Sequence, residues 1–494
     1  MLRKIRLTAA IVCFVLITLL FLDFTGTLHG WFGWLAKIQF LPAVLALNVG
    51  VVLFLVLLTL AFGRIYCSVI CPLGVFQDVI ARVGRRGKKL PYSYSPALSW
   101  LRYGILAVFI LALVAGIGSL VALLAPYSAY GRIANNLFQP LWMWGNNLLA
   151  YLAARVESYA FYEVDVWMKS LPTFLIVLAT TVVLIVLAWR NGRTYCNTIC
   201  PVGTVLGFIS RFSLYRITID TDKCNGCGLC ARQCKAACID SKEHKVDGSR
   251  CVACMNCLEV CRKDALRYAP VWKTKKQANL SRRRALSATA LVVLGGTLKA
   301  QEKKVEEVIM KRDGGLAPIK ERKETERLTA IVPPGAQSIQ NMRQHCTACQ
   351  LCISACPNHV LRPSSGLMTL MQPEMSYERG YCRPECTKCS EVCPAGAIKL
   401  ITKADKSSVQ IGHAVWVKAN CIPLTDGVEC GNCSRHCPTN AIEMVASDPG
   451  DPKSLKIPVV NTERCIGCGA CENLCPSRPF TAIYVEGHER HRII

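Results

Sequence analysis

CNGCGLCARQC, from Cys224 to Cys234, and CVACMNCLEVC, from Cys251 to Cys261, each space four cysteines as C-x2-C-x2-C-x3-C. Three thiolates on one tight loop hold three irons of a cubane, and in chains that carry two such clusters the fourth cysteine serves the neighbouring one. That rule assigns Cys224, Cys227, Cys230 and Cys261 to one [4Fe-4S] site and Cys251, Cys254, Cys257 and Cys234 to a second. Zinc is the alternative, but its usual pattern is two separated C-x2-C knuckles rather than three cysteines in seven residues. Lys235 and Arg262 stand where a proline commonly follows the fourth cysteine, and Cys238 is a spare.

Four further motifs lie near the C-terminus: Cys346, Cys349, Cys352 and Cys356; Cys382, Cys386, Cys389 and Cys393; Cys421, Cys430, Cys433 and Cys437; and Cys465, Cys468, Cys471 and Cys475. All four end in Cys-Pro, and the second and third have widened first spacings that read as loop insertions. Together with the first two runs, 24 of the 30 cysteines are placed in six [4Fe-4S] sites. Reduced thiols in this number argue against a disulfide-stapled secreted protein. The expected fold of these segments is α+β and ferredoxin-like. No C-x-x-C-H, Gly-rich dinucleotide loop or P-loop is visible, so no haem, flavin or nicotinamide cofactor is expected.

Outward from the cysteine runs, the 494 residues are 52% hydrophobic and only 18% charged. Uncharged stretches run from Leu7 to Leu22, Ile38 to Gly63, Tyr103 to Gly131 and Ser170 to Trp189. A span takes roughly 20 helical residues, so the reading is four transmembrane helices, with a fifth if an apolar run further on also inserts. The loop from Arg64 to Arg102 holds seven basic residues, whereas the loop from Arg132 to Lys169 balances three with Glu157, Glu163 and Asp165. The positive-inside rule therefore puts both ends of this unit in the cytoplasm. It also accounts for part of the net charge of +25 without a nucleic-acid partner.

GRIYCSVICPLG (Gly63–Gly74) and GRTYCNTICPVG (Gly192–Gly203) match at eight positions, which marks a duplication of a two-helix unit. Both C-x3-C-P pairs then fall at the cytoplasmic edge. Cys67, Cys71, Cys196 and Cys200 bind a soft metal, cycle between dithiol and disulfide, or simply pack. Tyr66, Arg64, Tyr195 and Arg193 beside them are candidates for a quinone head group, or are interfacial anchors. The aromatic loop with Trp142, Trp144, Tyr159, Tyr162 and Trp167 offers another quinone entrance. Cys13, alone in the first apolar stretch, reads as a packed residue.

Between the two cluster regions, Ser281, Arg282, Arg283 and Arg284 precede a 14-residue uncharged core, Ala285 to Leu298, that includes Leu286. This is the pattern of a twin-arginine export signal, or of a basic linker and short helix. The domains expected are 1–212, a transmembrane unit; 213–270, a cytoplasmic two-cluster unit; 271–300, a basic linker with the signal or anchor; 301–341, a charged tether; and 342–494, a four-cluster unit, placed in the periplasm.

The apolar stretches, the paired C-x3-C-P motifs and the first two cluster runs resemble the NapH-type membrane ferredoxins, with NosR and CcoG as more distant relatives. The remainder resembles NapG and MauM, exported four-cluster ferredoxins. The resemblance implies a multi-pass protein of a bacterial inner membrane that passes electrons from the quinol pool to a periplasmic reductase or cytochrome. It also implies that the C-terminal motifs pair first with fourth and second with third. Cys346, Cys349 and Cys352 would then be completed by Cys475, and Cys465, Cys468 and Cys471 by Cys356. Likewise Cys437 would complete the Cys382 set and Cys393 the Cys421 set. The alternative function is metal handling, with the membrane thiols reducing or delivering copper or iron to a partner enzyme.

Overall fold

Aliphatic runs without charge form the helices Leu2–Leu22 and Leu171–Asn191, the two that are long and apolar enough to cross a membrane among the described residues. At 1.5 Å per residue each is roughly 30 Å long, which matches a hydrocarbon core. The computed structural model describes residues 2–23, 26–84, 92–158, 160–270, 311–313, 317–319, 322–451 and 453–494. The twin-arginine-like segment, most of the basic run after Arg82, and Tyr159 lie outside the described residues.

Among the described residues, two of the four apolar stretches are broken rather than continuous helices. The stretch from Ile38 to Gly63 is divided into Phe40–Leu45 and Val49–Phe62, with Leu47 at φ +52° between them. The stretch from Tyr103 to Gly131 is divided into Ser99–Val114, Gly118–Leu124 and Pro126–Ile133. Gly116 at φ +69° follows the first of these helices, and Pro126, which has no N–H to satisfy, opens the third. Broken helices leave backbone groups without partners and are tolerated where protein covers them. Every residue of Pro126–Ile133 is buried.

The two sequence repeats are also structural repeats. Val49–Phe62 ends at Gly63 (φ +72°), and Arg64 leads into the short helix Ile65–Val69 and then Pro72–Val83. Leu171–Asn191 ends at Gly192 (φ +69°), and Arg193 leads into Thr194–Thr198 and then Pro201–Ser210. The positive-φ glycines stop the long helices because a side chain is strained in that conformation. Each C-x3-C-P is thus a helical turn, a break, and a new helix capped by the second cysteine, Cys71 or Cys200.

This bundle buries charged and amide side chains among its apolar core and is aliphatic outside. Arg64, Arg102, Arg132, Arg193, Gln39 and Gln77 are buried, while Ile11, Val15, Leu53, Leu57, Leu111, Val182 and Val186 face outward. A water-soluble domain has the opposite arrangement, since Arg is almost never fully buried unless paired.

Small antiparallel sheets organise the cysteine runs. Tyr215–Ile219 pairs with Leu266–Pro270 around both of the first runs, and the hairpin Ile239–Asp240/Lys245–Val246 lies between them. The plan recurs where Val409–Trp416 pairs with Ile483–Ile493 around the hairpin Ile442–Ala446/Lys456–Val460. That last unit has its own apolar cluster of Ala414, Ala441, Ile442, Ala482 and Ile483. A third hairpin, Leu361–Pro363/Pro373–Met375, separates the first two C-terminal motifs.

The two groups of cysteine runs occupy opposite ends of the bundle. At the start of Leu2–Leu22, Arg3 pairs with Glu259; beyond its end, His29 lies in the field of Lys388 and Glu391. At the far end of Leu171–Asn191, the N–H of Arg193 donates to the carbonyl of Lys235 at 2.8 Å. Toward its start, Ile176 and Leu123 pack against Ala122, Ala348 and Met371.

Candidate metal centres

Duplication sets the geometry of the first centre. Cys67, Cys71, Cys196 and Cys200 are each 4–5% exposed. The Cys200 thiol lies in the field of Cys196, Cys71 and Cys67, so all four thiols converge from both repeats. Each motif arginine crosses to the other repeat: Arg193 Nη1 donates to the Cys67 carbonyl at 2.6 Å and Arg64 Nη2 to the Cys196 carbonyl at 3.1 Å. The last glycine of each motif makes room. A Cβ on Gly74 would stand 2.3 Å from the Cys67 oxygen and 2.6 Å from Arg193, and one on Gly203 would stand 2.3 Å from the Cys196 oxygen.

The candidates for a quinone head group are all buried in this arrangement. Arg193 also grips Asp78 through two N–H groups at 2.7 Å each, and Arg64 donates to Asn197 at 2.9 Å and to the Ser249 carbonyl at 3.1 Å. The Tyr66 hydroxyl donates to Gln39 Oε1 at 3.0 Å, and that of Tyr195 to the Leu124 carbonyl at 3.3 Å. Both tyrosines therefore reach the broken helical segments. Gln77 donates to Cys196 Sγ at 3.4 Å, and the Gly203 N–H to Cys200 Sγ at 3.3 Å.

Of the two runs near the bundle, Cys257 lies with Cys254, Cys251 and Cys234, and Cys230 with Cys224 and Cys227. Cys238 belongs to the first of these sets, its Sγ 3.5 Å from that of Cys234. A hydrogen bond from Cys238 lowers the Cys234 thiol in spite of burial.

The C-terminal pairing departs from what the resemblance implied. Cys352 lies with Cys349, Cys346 and Cys393, and Cys389 with Cys382, Cys356 and Cys386. One cavity is lined by Cys421, Cys430, Cys433 and Cys475, and another by Cys437, Cys465, Cys468 and Cys471. Motifs thus pair first with second and third with fourth. The physical reason is the strand plan: the third and fourth motifs lie between one pair of strands, Val409–Trp416 and Ile483–Ile493. Their fourth cysteines therefore reach each other more readily than they reach a neighbouring unit.

Burial pushes these thiols up, Cys349 and Cys468 to about 12 and Cys433 to about 11. They ionise only as metal displaces their protons. No three His, Cys, Asp or Glu side chains close on a single ion among the described residues. A cubane spreads its four thiolates more widely than one ion does, and all-thiolate sets lining cavities fit that group.

Neighbouring sets lie near one another: Cys230 by Cys257, Cys352 by Cys389, Cys468 by Cys382, and Cys471 by Cys433. Tyr377 lies between the two C-terminal units, in the fields of Cys382 and Cys468, with its hydroxyl donating to the Gly467 carbonyl at 2.5 Å. Sequence reading missed Tyr377, Asp78, Gln77 and Arg132. Only the glycines ending the two repeats, Gly74 and Gly203, carried a visible signal, through their recurrence.

Family models agree with this distribution. A 4Fe-4S binding domain matches residues 44–91 and 171–218, and another matches 217–240; 4Fe-4S dicluster domains match 247–360 and 428–478. Ferredoxin-type protein NapH of Haemophilus influenzae is 29% identical over 46% of this chain and 70% of its own length. The chain is similar to polyferredoxins of the NapH and NosR type. Putative electron transport protein YccM of Escherichia coli is 25% identical over 45% of the polyferredoxin and 55% of its own length. An uncharacterised protein of Methanocaldococcus jannaschii is 37% identical over 19% of the chain and 37% of its own length. The polyferredoxin therefore spans about a third to about half of the length of these last two relatives. No solved structure matches. The chain carries multiple 4Fe-4S binding domains.

Proposed function

We propose that this polyferredoxin is a multi-pass membrane conduit that oxidises quinol and delivers the electrons to a reductase on the far side of the membrane. The observation that carries the reading is the placement of two groups of cysteine sets at opposite ends of a bundle whose outer surface is aliphatic and whose interior holds the charges. An apolar surface this extensive calls for lipid as its surroundings. Lipid admits an apolar two-electron carrier such as menaquinol or ubiquinol as the donor. Six [4Fe-4S] clusters, held by the 24 cysteines grouped above, supply one-electron chemistry.

By the distribution of basic residues, the end carrying Cys224–Cys261 faces the cytoplasm and the end carrying Cys346–Cys475 the periplasm. The chain's own residues supply insulation and spacing: burial keeps water from thiols such as Cys254, Cys257, Cys352 and Cys471, and Tyr377 lies at the contact between the two C-terminal units.

EPR of the anaerobically purified full chain tests the reading, before and after a short-chain menaquinol and then a chemical reductant. Cubane signals that appear with menaquinol support it. Signals that appear only with the chemical reductant refute quinol as the donor.

A further inference from the structure

We infer that Arg132 is a positioning residue for electron transfer: its buried guanidinium favours the reduced state of the iron-sulfur set Cys346, Cys349, Cys352 and Cys393 and makes it the set that takes electrons out of the bundle. The receiving role rests on the conduit reading above; the effect on the set does not.

Arg132 lies on the buried helix Pro126–Ile133, which runs into the π-helical turn Ala134–Phe138. Together they grip the loop from Cys346 to Cys352. A Cβ on Gly131 would stand 2.4 Å from the Cys349 carbonyl oxygen, so helix and loop touch one residue before Arg132. Asn135 and Asn136 both donate to Gln350 Oε1, at 3.0 and 2.8 Å, and Gln350 follows Cys349 in the chain. Tyr127, on the same helix, lies in the field of Cys349 and Cys393.

The charge of Arg132 has no protein counterpart. Its side chain is buried, with Nη1 donating to the Ala122 carbonyl at 2.8 Å, while Nε and Nη2 have no hydrogen-bond partner among the described residues. Tyr195 and Cys349 are the ionisable groups in its field, with no carboxylate among them. Arg193, by contrast, is paired with Asp78, and Arg64 uses both of its Nη atoms as donors. A buried ion without a partner costs several kcal/mol. Four thiolates around an iron-sulfur core carry net negative charge, and reduction adds one more unit. A buried cation beside the core is therefore attracted more strongly to the reduced state, in an interior where such attraction is large.

Tyr195, which shares the field of Arg132, lies beside Cys196 and Cys200. Arg132 thus stands where the bundle thiols meet the first C-terminal set. One electron leaves the donor and reduces this set, with no bond made or broken.

Potentiometric titration of the EPR signals tests the inference, on the full-length chain purified anaerobically and reduced with dithionite through soluble mediators. Cys349→Ser identifies the signal of this set, which it alters or abolishes. Arg132→Gln is expected to shift the reduction equilibrium of the set by about tenfold or more toward the oxidised form, which is about 59 mV for one electron. Iron per chain should stay at the wild-type value, and Arg132→Lys should restore most of the shift. Arg155→Gln, at an exposed arginine, is the control and should move no midpoint. An unchanged midpoint in Arg132→Gln overturns the inference. Should that variant not hold its iron, Ser128→Asp decides. Ser128 is buried one helical turn before Arg132 with its hydroxyl unpartnered, so a carboxylate there supplies the missing counter-charge. It is expected to lower the same midpoint, and an unchanged midpoint again overturns the inference. Failure of menaquinol to reduce the set while the shift persists refutes only the quinol reading.

Discussion

Arg193 donates to the carbonyl oxygen of Cys67 at 2.6 Å, joining two residues 126 apart in sequence and one repeat to the other. The same guanidinium binds both oxygens of Asp78. Arg193→Gln breaks a buried pair and leaves Asp78 to Lys235 and Arg6 alone. Removing one partner of such a pair costs about 3–5 kcal/mol. The variant is expected to melt well below wild type in detergent, and Arg193→Lys to recover part of the loss without the paired hydrogen bonds. Equal melting of Arg193→Gln and wild type contradicts the assignment.

Gly203→Ala tests the close approach. Its Cβ would meet the Cys196 carbonyl oxygen at 2.3 Å and Arg64 Nη2 at 2.9 Å. The backbone oxygen cannot swing aside, so an overpacking cost of about 1–3 kcal/mol is expected. Gly145→Ala, where nothing lies within 4 Å, is the matched control. Thermal melting of the two variants in the same detergent should separate them.

Pairing of the C-terminal motifs is open to a direct test. The last unit has its own apolar cluster, and two cavities each lined by four of its cysteines. A fragment of residues 402–494 should therefore bind two cubanes, about eight irons, on its own. Under a first-with-fourth pairing the fragment lacks fourth ligands for both sites and should lose iron on desalting.

His491 gives the C-terminal strand a pH response. Burial, with the nearby charge of His488, lowers it to about 4 from the usual 6.5. A depressed histidine contributes stability that is fully present above pH 6.5 and is lost as the pH falls toward 4, a difference of about 3 kcal/mol at most. Amide exchange in Ile483–Ile493, corrected for intrinsic rates, should speed up on going from pH 7 to pH 5, and His491→Phe should flatten that dependence. An identical pH response in the variant removes His491 as the cause.

Local spacing made the cluster cysteines legible. C-x2-C-x2-C-x3-C places three thiols on one turn of chain regardless of what surrounds it, so Cys224, Cys227 and Cys230 were readable from the sequence. The long helices Leu2–Leu22 and Leu171–Asn191 were readable for the same reason, since composition over one segment decides whether it is apolar enough to span. The breaks at Leu47 and Gly116 were hidden, because continuous hydrophobicity does not reveal where a helix turns back into protein.

What the sequence by itself determined is therefore what short-range chemistry determines: the spaced cysteine runs, the apolar segments and the duplicated C-x3-C-P units. Which fourth cysteine completes which set, and the meeting of Cys67 with Cys196, were decided only by tertiary structure. Both depend on residues brought together from far apart, by the strand pair Val409–Trp416/Ile483–Ile493 in one case and the crossed arginines Arg64 and Arg193 in the other. Spacing along the chain carries no record of such contacts, because they are set by packing between elements.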